Sequence, residues 1–531
     1  MNLRIATSAL LIVLFLPAAR QVAASLRAEE LPITTGPFEP TWKSLSHYQC
    51  PDWFRDAKFG IWAHWTAQCV PEQGDWYARA IYQSEGVNRR TGQKTGPSSQ
   101  YNYQVAHYGH PSKVGFKDID RLWHAENWEP EKLIDLYKRA GAKYFVALAN
   151  HHDNFDCYDS KYQPWNSVNM GPKKDIVGGW AKAARAAGLR FGVTVHAARA
   201  WTWFEVAQGA DGFGPLQGVP YDGKLTKADG QGTWWEGYDP QDLYAQNHKI
   251  GDAPSREYCE KFFNRTLDLV HKYQPDLLYF DDRVLPLANV DENYGLKIAA
   301  DFYNSSVKWH GRNEAVMNTK ILDAAQQKCF VLDIERGKSA RIEPRPWQTD
   351  TCLGDWHYSR DIYDHHAYKK PGDVVRMLVD IVSKNGNLLL NVPVRGDGTI
   401  DDQETACLEG IAAWMKSNSE AIFGTRPWIV YGEGAGSEQR GGFGGLRELG
   451  KYSAQDIRFT QKAGVLYAIA MGRPSGKVKV KALNGKKAAK VTLLGSEEKL
   501  AWQQDDAGLT IDAPSNVPSE FAAAFKIEWA M

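Results

Sequence analysis

LLYFDDR, residues 277–283, is a run of four apolar or aromatic residues that stops on two aspartates and an arginine. A buried, unpaired carboxylate costs free energy. Either a strand ends here in water, with its acids paired to Arg283, or the acids belong to a site that needs them. The pattern recurs along the chain. FGIWAHW (59–65) runs into His64, YFVALANHHD (144–153) into His151 and His152, and FGVTVHA (191–197) into His196. AVMNTK (315–320) and NLLLNVP (387–393) carry Asn318 and Asn391 in the corresponding places. Such apolar runs suit strands buried on both faces, as in a parallel sheet.

Helical patterns lie between the runs. PEKLIDLYKRAGA, from Pro130, has apolar residues at 133, 134, 136 and 137 and stops at Gly141. IVGGWAKAARAAG (176–188) repeats the pattern. Residues 258–273 form a third segment, closed by Pro275, and 373–384 a fourth, closed by Gly386. Repeated βα units of this kind predict an α/β fold, a (β/α)8-like barrel. Chemistry in that architecture gathers at the C-terminal ends of the strands. His64, His151, His152, His196 and Asp281 all fall there and would converge on one mouth. Residues 83–108 and 208–249, rich in glycine and polar residues, read as long loops over that face.

After Pro427 the texture changes. A glycine-rich stretch, GEGAGSEQRGGFGG (432–445), leads into DIRFTQ, VLYAIAM, KVKVKAL, KVTLLG, LTIDAP and FKIEWA, short alternating runs separated by turn signals. These predict a C-terminal antiparallel β-sandwich. The expected organisation is a catalytic barrel over 25–427 and a sandwich domain over 428–531.

The 531 residues are 43% hydrophobic and 24% charged, ordinary for a globular chain of more than one domain. With 63 basic and 63 acidic residues the formal net charge is zero, which argues against a nucleic-acid partner. Twenty tryptophans fit either a large core or stacking on sugar rings. Residues 1–24 have a basic start, an apolar stretch and small residues, and read as a signal peptide. The protein is therefore expected to be exported, periplasmic or secreted. No later stretch approaches about 18 uninterrupted apolar residues, so no membrane association is expected once the signal is removed. The seven cysteines are widely spaced without a CxxC pattern. One or two disulfides would suit an oxidising compartment, the other cysteines being small buried hydrophobes.

Two chemistries fit the strand-end residues. Glycoside hydrolysis needs one carboxylate as nucleophile or base and another carboxyl as acid. A metal-dependent barrel hydrolase could instead use HHD at 151–153 with the acids at 281–282. The spacing is no metal signature, and adjacent His151 and His152 converge only if their strand has already ended. The tryptophans favour sugar chemistry, and no cofactor or metal is expected.

Several motifs, in order, give a more specific reading. AKFGIWAHW (57–65), GDWYARAIY (74–82), ANHHDNFDCYDS (149–160), PDLLYFDDR (275–283), VDIVSKNGNLLLNVPVRGDGTI (379–400) and AAWMKSNSEAIFGTRPW (412–428) together resemble the α-L-fucosidases of glycoside hydrolase family 29. The resemblance implies a (β/α)8-like barrel followed by a β-sandwich, and a retaining exo-glycosidase acting on terminal α-L-fucosides of oligosaccharides or polysaccharides. It implies Asp281 as nucleophile and His64, His151, His152 and Trp76 as sugar-binding residues, with His196, Tyr279 and Lys320 completing the set. Trp62, Trp76 and Trp201 are candidates for the wall around the sugar's methyl group. The acid/base is expected at Glu335 of DIERGKSA (333–340), with Glu343 and Asp350 in reserve. Ion pairing of Glu335 with Arg336 or Arg341 is the competing reading.

The chain also departs from the family. Gln348 stands where one subgroup has its acid, Asp75 replaces a glutamate, Thr194 and His196 replace tyrosines, and Lys320 replaces a bidentate arginine. These departures leave open a related L-sugar such as an α-L-galactoside, or a catalytically weak, lectin-like fucose-binding protein. Linkage, disulfide pairing and oligomeric state are not legible in the sequence.

Overall fold

The computed structural model describes residues 30–87, 93–434 and 452–530. The signal peptide expected over 1–24 and most of the glycine-rich stretch at 432–445 lie outside these residues.

Eight parallel strands close into a barrel: β1 (Phe59–Ala63), β2 (Tyr144–Asn150), β3 (Arg190–Val195), β4 (Leu277–Arg283), β5 (Val316–Lys320), β6 (Val331–Asp333), β7 (Trp347–Cys352) and β8 (Gly386–Asn391). Each pairs with the next, and β8 closes on β1. Every residue of β1, β2, β7 and β8 is buried. Core packs both faces of β1, β2 and β8, so their sequences read as apolar runs rather than alternations, whereas β7 buries polar residues. Gly60 in β1 shows how tight the interior is. A Cβ there would come within 2.3 Å of the Tyr144 ring, so only glycine fits.

The four helices expected from periodicity are present: α1 (Pro130–Arg139), α2 (Ile176–Ala186), α3 (Arg256–Tyr273) and, later in the chain, Pro371–Ser383. Asp175 caps α2 by accepting from the Gly178 amide, and Ser255 caps α3 through the Tyr258 amide. Between α3 and Pro371–Ser383, which becomes α5, lies an unexpected helix, α4 (Glu292–His310). Its buried face carries Asp301, Asn304, Ser305 and Ser306, which hides the amphipathic pattern. Asp301, Asn304 and Ser305 bind the segment that precedes the barrel, whereas Ser306 accepts from the Glu314 amide. The Thr34 amide donates to Asp301 and the Phe38 amide to Asn304. A sixth helix, α6 (Asp402–Asn418), packs against α5. Residues 83–108 are not simply a loop. Ser98 caps a helix over Ser99–His107, and Tyr101 and Gln104 form its buried side. Residues 208–249 hold only short helical turns, among them Pro240–Leu243.

The C-terminal region is two antiparallel sheets. Strands β9 (Arg426–Glu433), β10 (Ile457–Lys462), β11 (Val465–Ala470), β12 (Lys477–Val480), β13 (Ala488–Leu493), β14 (Trp502–Asp505), β15 (Gly508–Asp512) and β16 (Ala523–Trp529) form sheets of order β9-β10-β11-β16-β13 and β12-β15-β14. Phe459, Leu466, Val478, Ile511 and Phe525 fill the core between them. A buried ion cluster ties this region to the barrel. Asp380 of α5 accepts from Lys384 at 2.7 Å and from Arg458 of β10 at 2.6 Å. None of the seven cysteines is paired; six are buried and Cys50 is half-buried. The expectation of disulfides is corrected accordingly, the cysteines being small core residues.

Candidate active site

Strand β4, which carries the LLYFDDR run, is irregular at its end. Tyr279 of β4 lies opposite Asn318 of β5, but Arg283 lies opposite Lys320, so residues 280–282 bulge against the single residue 319. Bulges at barrel rims re-aim side chains. Tyr279 and Asp281 line a pocket of about 170 Å3 at the C-terminal mouth, whereas Asp282 turns to the neighbouring cavities. A second register shift, between Leu148 and Asn150, ends β2 just before the adjacent histidines. With the strand over, His151 lines the same pocket and His152 reaches Asp281.

Lys320, at the end of β5, joins the two candidate catalytic acids. Its ammonium donates to Asp281 Oδ1 and, at 2.5 Å, to Glu335 Oε2. Two oxygens bonded to one ammonium lie no more than two hydrogen-bond lengths apart, roughly 5 Å. That bound falls short of the roughly 6.5–9.5 Å of an inverting pair and lies on the side of the about 5–5.5 Å of a retaining one. On the other side of Asp281, Oδ2 stands 3.2 Å from His152 Nε2 and 3.5 Å from His196 Nδ1, the latter long for a hydrogen bond. Arg199 Nη1 stands 4.0 Å away. Burial pushes the Asp281 carboxyl up, but the Lys320 charge and the two histidines outweigh it and hold the group well below the usual carboxylate range. Asp282 is the opposite case. Burial and the adjacent Asp281 charge push it well above that range, and Arg199, 3.9 Å away, offsets only part.

His64, His151 and His196 are poised as neutral donors and acceptors. His151 Nδ1 accepts from the Gln68 amide at 3.0 Å, which leaves Nε2–H for the pocket. Burial and the neighbouring imidazoles lower the pKa values of His64 and His151 well below normal. Burial also lowers His196, to about 4, despite the pull of Asp281. Among the described residues, His64 Nδ1 and both ring nitrogens of His196 are buried without a hydrogen-bond partner, His196 Nδ1 having only the long approach to Asp281. Unpartnered buried nitrogens on a cavity are what a polyhydroxylated ligand satisfies.

Deeper in the barrel, the Tyr279 hydroxyl donates to Asp350 Oδ2 at 2.9 Å. Burial, with the Glu335 and Asp281 charges, pushes Asp350 up to about 6 against the pull of Lys320. Burial and Asp350 push Asp333 further in the same direction. Beside the histidines, Asp75 accepts from His357 at 2.7 Å, and the other His357 nitrogen meets Thr66, which donates to Asp153. Aromatic walls come from Trp62, Trp76 and Trp356. Trp76 is 41% exposed and adopts a left-handed backbone (φ 64°), a strained setting for a bulky residue at a functional rim.

His64, Trp76, His151, His196, Tyr279, Asp281, Lys320 and Glu335 thus share one pocket, with His152 directly against Asp281. Glu335 pairs with Lys320; Arg336 instead approaches Asp355 and Arg341 approaches Glu343. Glu343 is excluded as an acid. Its amide donates to the Lys384 carbonyl, just before β8 begins, so it sits at the opposite end of the barrel. Trp201 is displaced too: it stacks on His248 at 3.9 Å and lines a neighbouring cavity. Sequence reasoning missed Trp356, His357 and Arg199. The stretch TCLGDWHYS (351–359) carries the first two immediately after β7, where the strand-end rule, applied to that polar strand, would have found them.

Among the described residues, three groups have donor atoms within 4.8 Å of one another and could hold a metal ion: His64, His151 and His196; Asp75, His151 and His357; and His152, His196 and Asp281. Buried neutral imidazoles with one carboxylate suit zinc-like chemistry as well as sugar hydroxyls.

Comparison with known proteins resolves the family. The α-L-fucosidase family profile matches residues 25–420, and the profile of the α-L-fucosidase C-terminal domain matches 451–528. The chain belongs to the α-L-fucosidase family. It is similar to human tissue α-L-fucosidase, 26% identical over 535 residues that cover 98% of this chain and 96% of the relative. Human plasma α-L-fucosidase is 26% identical over 90% of this chain and 88% of its own length. Among solved structures, the Thermotoga maritima α-fucosidase in complex with a mechanism-based inhibitor superposes with a TM-score of 0.67 at 26% identity, covering 92% of this chain and 99% of that one. This family member is a glycoside hydrolase, and the relatives' names support fucoside hydrolysis as its chemistry.

Proposed function

We propose that the protein is a retaining exo-glycosidase that removes terminal α-L-fucose from oligosaccharides or polysaccharides through a covalent glycosyl-enzyme. One observation carries the reading: a single ammonium, Lys320 Nζ, bonds both Asp281 and Glu335. Asp281, kept ionised, attacks the anomeric carbon, while Glu335 protonates the departing oxygen. Asp281 is then an ester and carries no charge. Lys320 is left with Glu335 alone, and its ammonium steadies the carboxylate that takes a proton from the incoming water. His64, His151 and His196 bond sugar hydroxyls, and Trp62, Trp76 and Trp356 supply apolar walls, Trp356 in the part expected of Trp201. The reading of residues 1–24 as a signal peptide supports an exported, periplasmic or secreted, protein.

The test is hydrolysis of 4-nitrophenyl glycosides followed by proton NMR. The α-L-fucoside should be cleaved faster than the α-L-galactoside, and the α-anomer of fucose should appear first. First appearance of the β-anomer would overturn retention, and fucose binding without turnover would favour the lectin-like alternative. The histidine groups support a second reading, metal-assisted hydrolysis. EDTA should leave the rate unchanged; a loss that zinc restores would establish that reading instead.

A further inference from the structure

A larger cavity, about 680 Å3, opens beside the sugar pocket. The two share Arg199, Asp281, Lys320 and Glu335, so they meet at the reacting pair. We infer that this outer cavity receives the leaving half of the substrate and selects leaving groups that present an apolar face, such as the C–H face of a sugar ring. The inference rests on the proposed roles of Asp281 and Glu335.

Three observations support it. First, a general acid stands on the leaving-group side of the scissile bond, so the space next to Glu335 and outside the sugar pocket is where the leaving group must go. Second, part of the wall is aliphatic. Ile321, Leu322, Leu332 and Ile334 line it, beside the charged Arg199, Asp282, Arg283, Asp323 and Asp333 and the reacting groups, so an apolar face and a polar edge are both available to a bound ring. The volume is also several times the 170 Å3 of the sugar pocket, ample for more than one ring. Third, Ile321 is 64% exposed and adopts a left-handed backbone (φ 57°) directly after Lys320. A β-branched residue is strained in that conformation, and its exposure gains nothing for the fold. Strained residues of this kind cluster where a ligand needs them.

The experiment compares two substrates that share the fucosyl half. 4-Nitrophenyl α-L-fucoside carries an aromatic leaving group to fill the cavity; α-L-fucosyl fluoride loses a single atom. Ile321→Asn removes the apolar surface and, because asparagine tolerates the left-handed region, also relieves the strain. It should lower kcat/KM for the aryl fucoside about tenfold, the scale expected for losing a buried aliphatic contact, leave the fluoride within about twofold, and raise the unfolding temperature. Ile334→Ser, elsewhere in the same lining, should reproduce the split between substrates. Equal losses on both substrates, or no loss on either, would overturn the inference while leaving the fucosidase reading intact. A wild-type protein that cleaves neither substrate would overturn that reading, and this inference with it.

Discussion

Two aspartates on this chain, Asp380 fully buried and Asp281 half-buried, each bind a lysine, and they differ in what surrounds them. Asp380, between barrel and C-terminal sheets, has two cations, Lys384 and Arg458, and no cavity adjoins it among those described. Asp281, at the barrel mouth, has one lysine that it shares with a second acid, and it opens on a pocket lined by unpartnered histidine nitrogens. Both carboxyls are held below the usual range, in each case because nearby cations outweigh the upward push of burial. A depressed carboxyl therefore does not separate structure from function here. The cation count and the unfilled hydrogen-bonding capacity do: an excess of cations locks a junction, whereas a shared cation between two acids is a charge arrangement that can be redistributed during a reaction.

The largest expected effect separates these sites directly. Asp281→Asn should lower kcat by about 10^4-fold, the scale seen when a reacting nucleophile is removed, while the protein stays folded by circular dichroism. Asp380→Asn should do the reverse. It leaves two buried cations uncompensated, a destabilisation of about 3–5 kcal/mol, with kcat per folded molecule unchanged in a temperature-corrected assay. If Asp380→Asn abolished turnover in folded protein, the contrast between the sites would fail.

The next test sharpens the role of the shared lysine. Glu335→Gln should slow hydrolysis of glycosides with poor leaving groups by orders of magnitude, and azide should restore the rate. Glu343→Gln, at the far end of the barrel, should stay within about twofold of wild type by the same assay, as expected for a surface change away from the chemistry.

The smallest effect concerns Asp350. Its folded-state pKa, about 6, lies above the ordinary aspartate value of about 3.9. The folded state prefers the protonated acid, so its contribution to stability is complete below about pH 4 and is lost as pH rises through 6. Asp350→Asn, neutral throughout, should therefore unfold at a higher temperature than wild type at pH 7, with the advantage fading towards pH 4. For Asp281 and Asp380 the sign is opposite: their contribution is present above the ordinary aspartate value and is lost as pH falls through the depressed folded values.

Much of the fold was legible in the chain. β1, β2, β3, β4 and β8 announce themselves as apolar runs with polar stops, because both faces of each are buried. The short β6 and the polar β7, WQTDTC, do not, because they turn polar side chains into the barrel interior. α4 was hidden for a related reason: among its apolar buried residues, Asp301 and Asn304 also turn inward to bind backbone amides, which breaks the pattern. Glu335 was expected ahead of Glu343, but local sequence separates them poorly, since both follow β6 closely and both stand near basic residues. The connection from β6 to β7 crosses from the mouth of the barrel to its base, and only one of the two glutamates stays with Asp281.

The order of apolar runs, helical patterns and stop residues was enough to specify a barrel, the domain that follows it and the strand end that bears Asp281, because burial imposes its period on local sequence. Which acid faces which could come only from the folded chain. Asp281, Lys320 and Glu335 lie on separate strands and loops, and a bulge in β4 sets their register. Electrostatic pairing depends on distance through space, which no local pattern encodes.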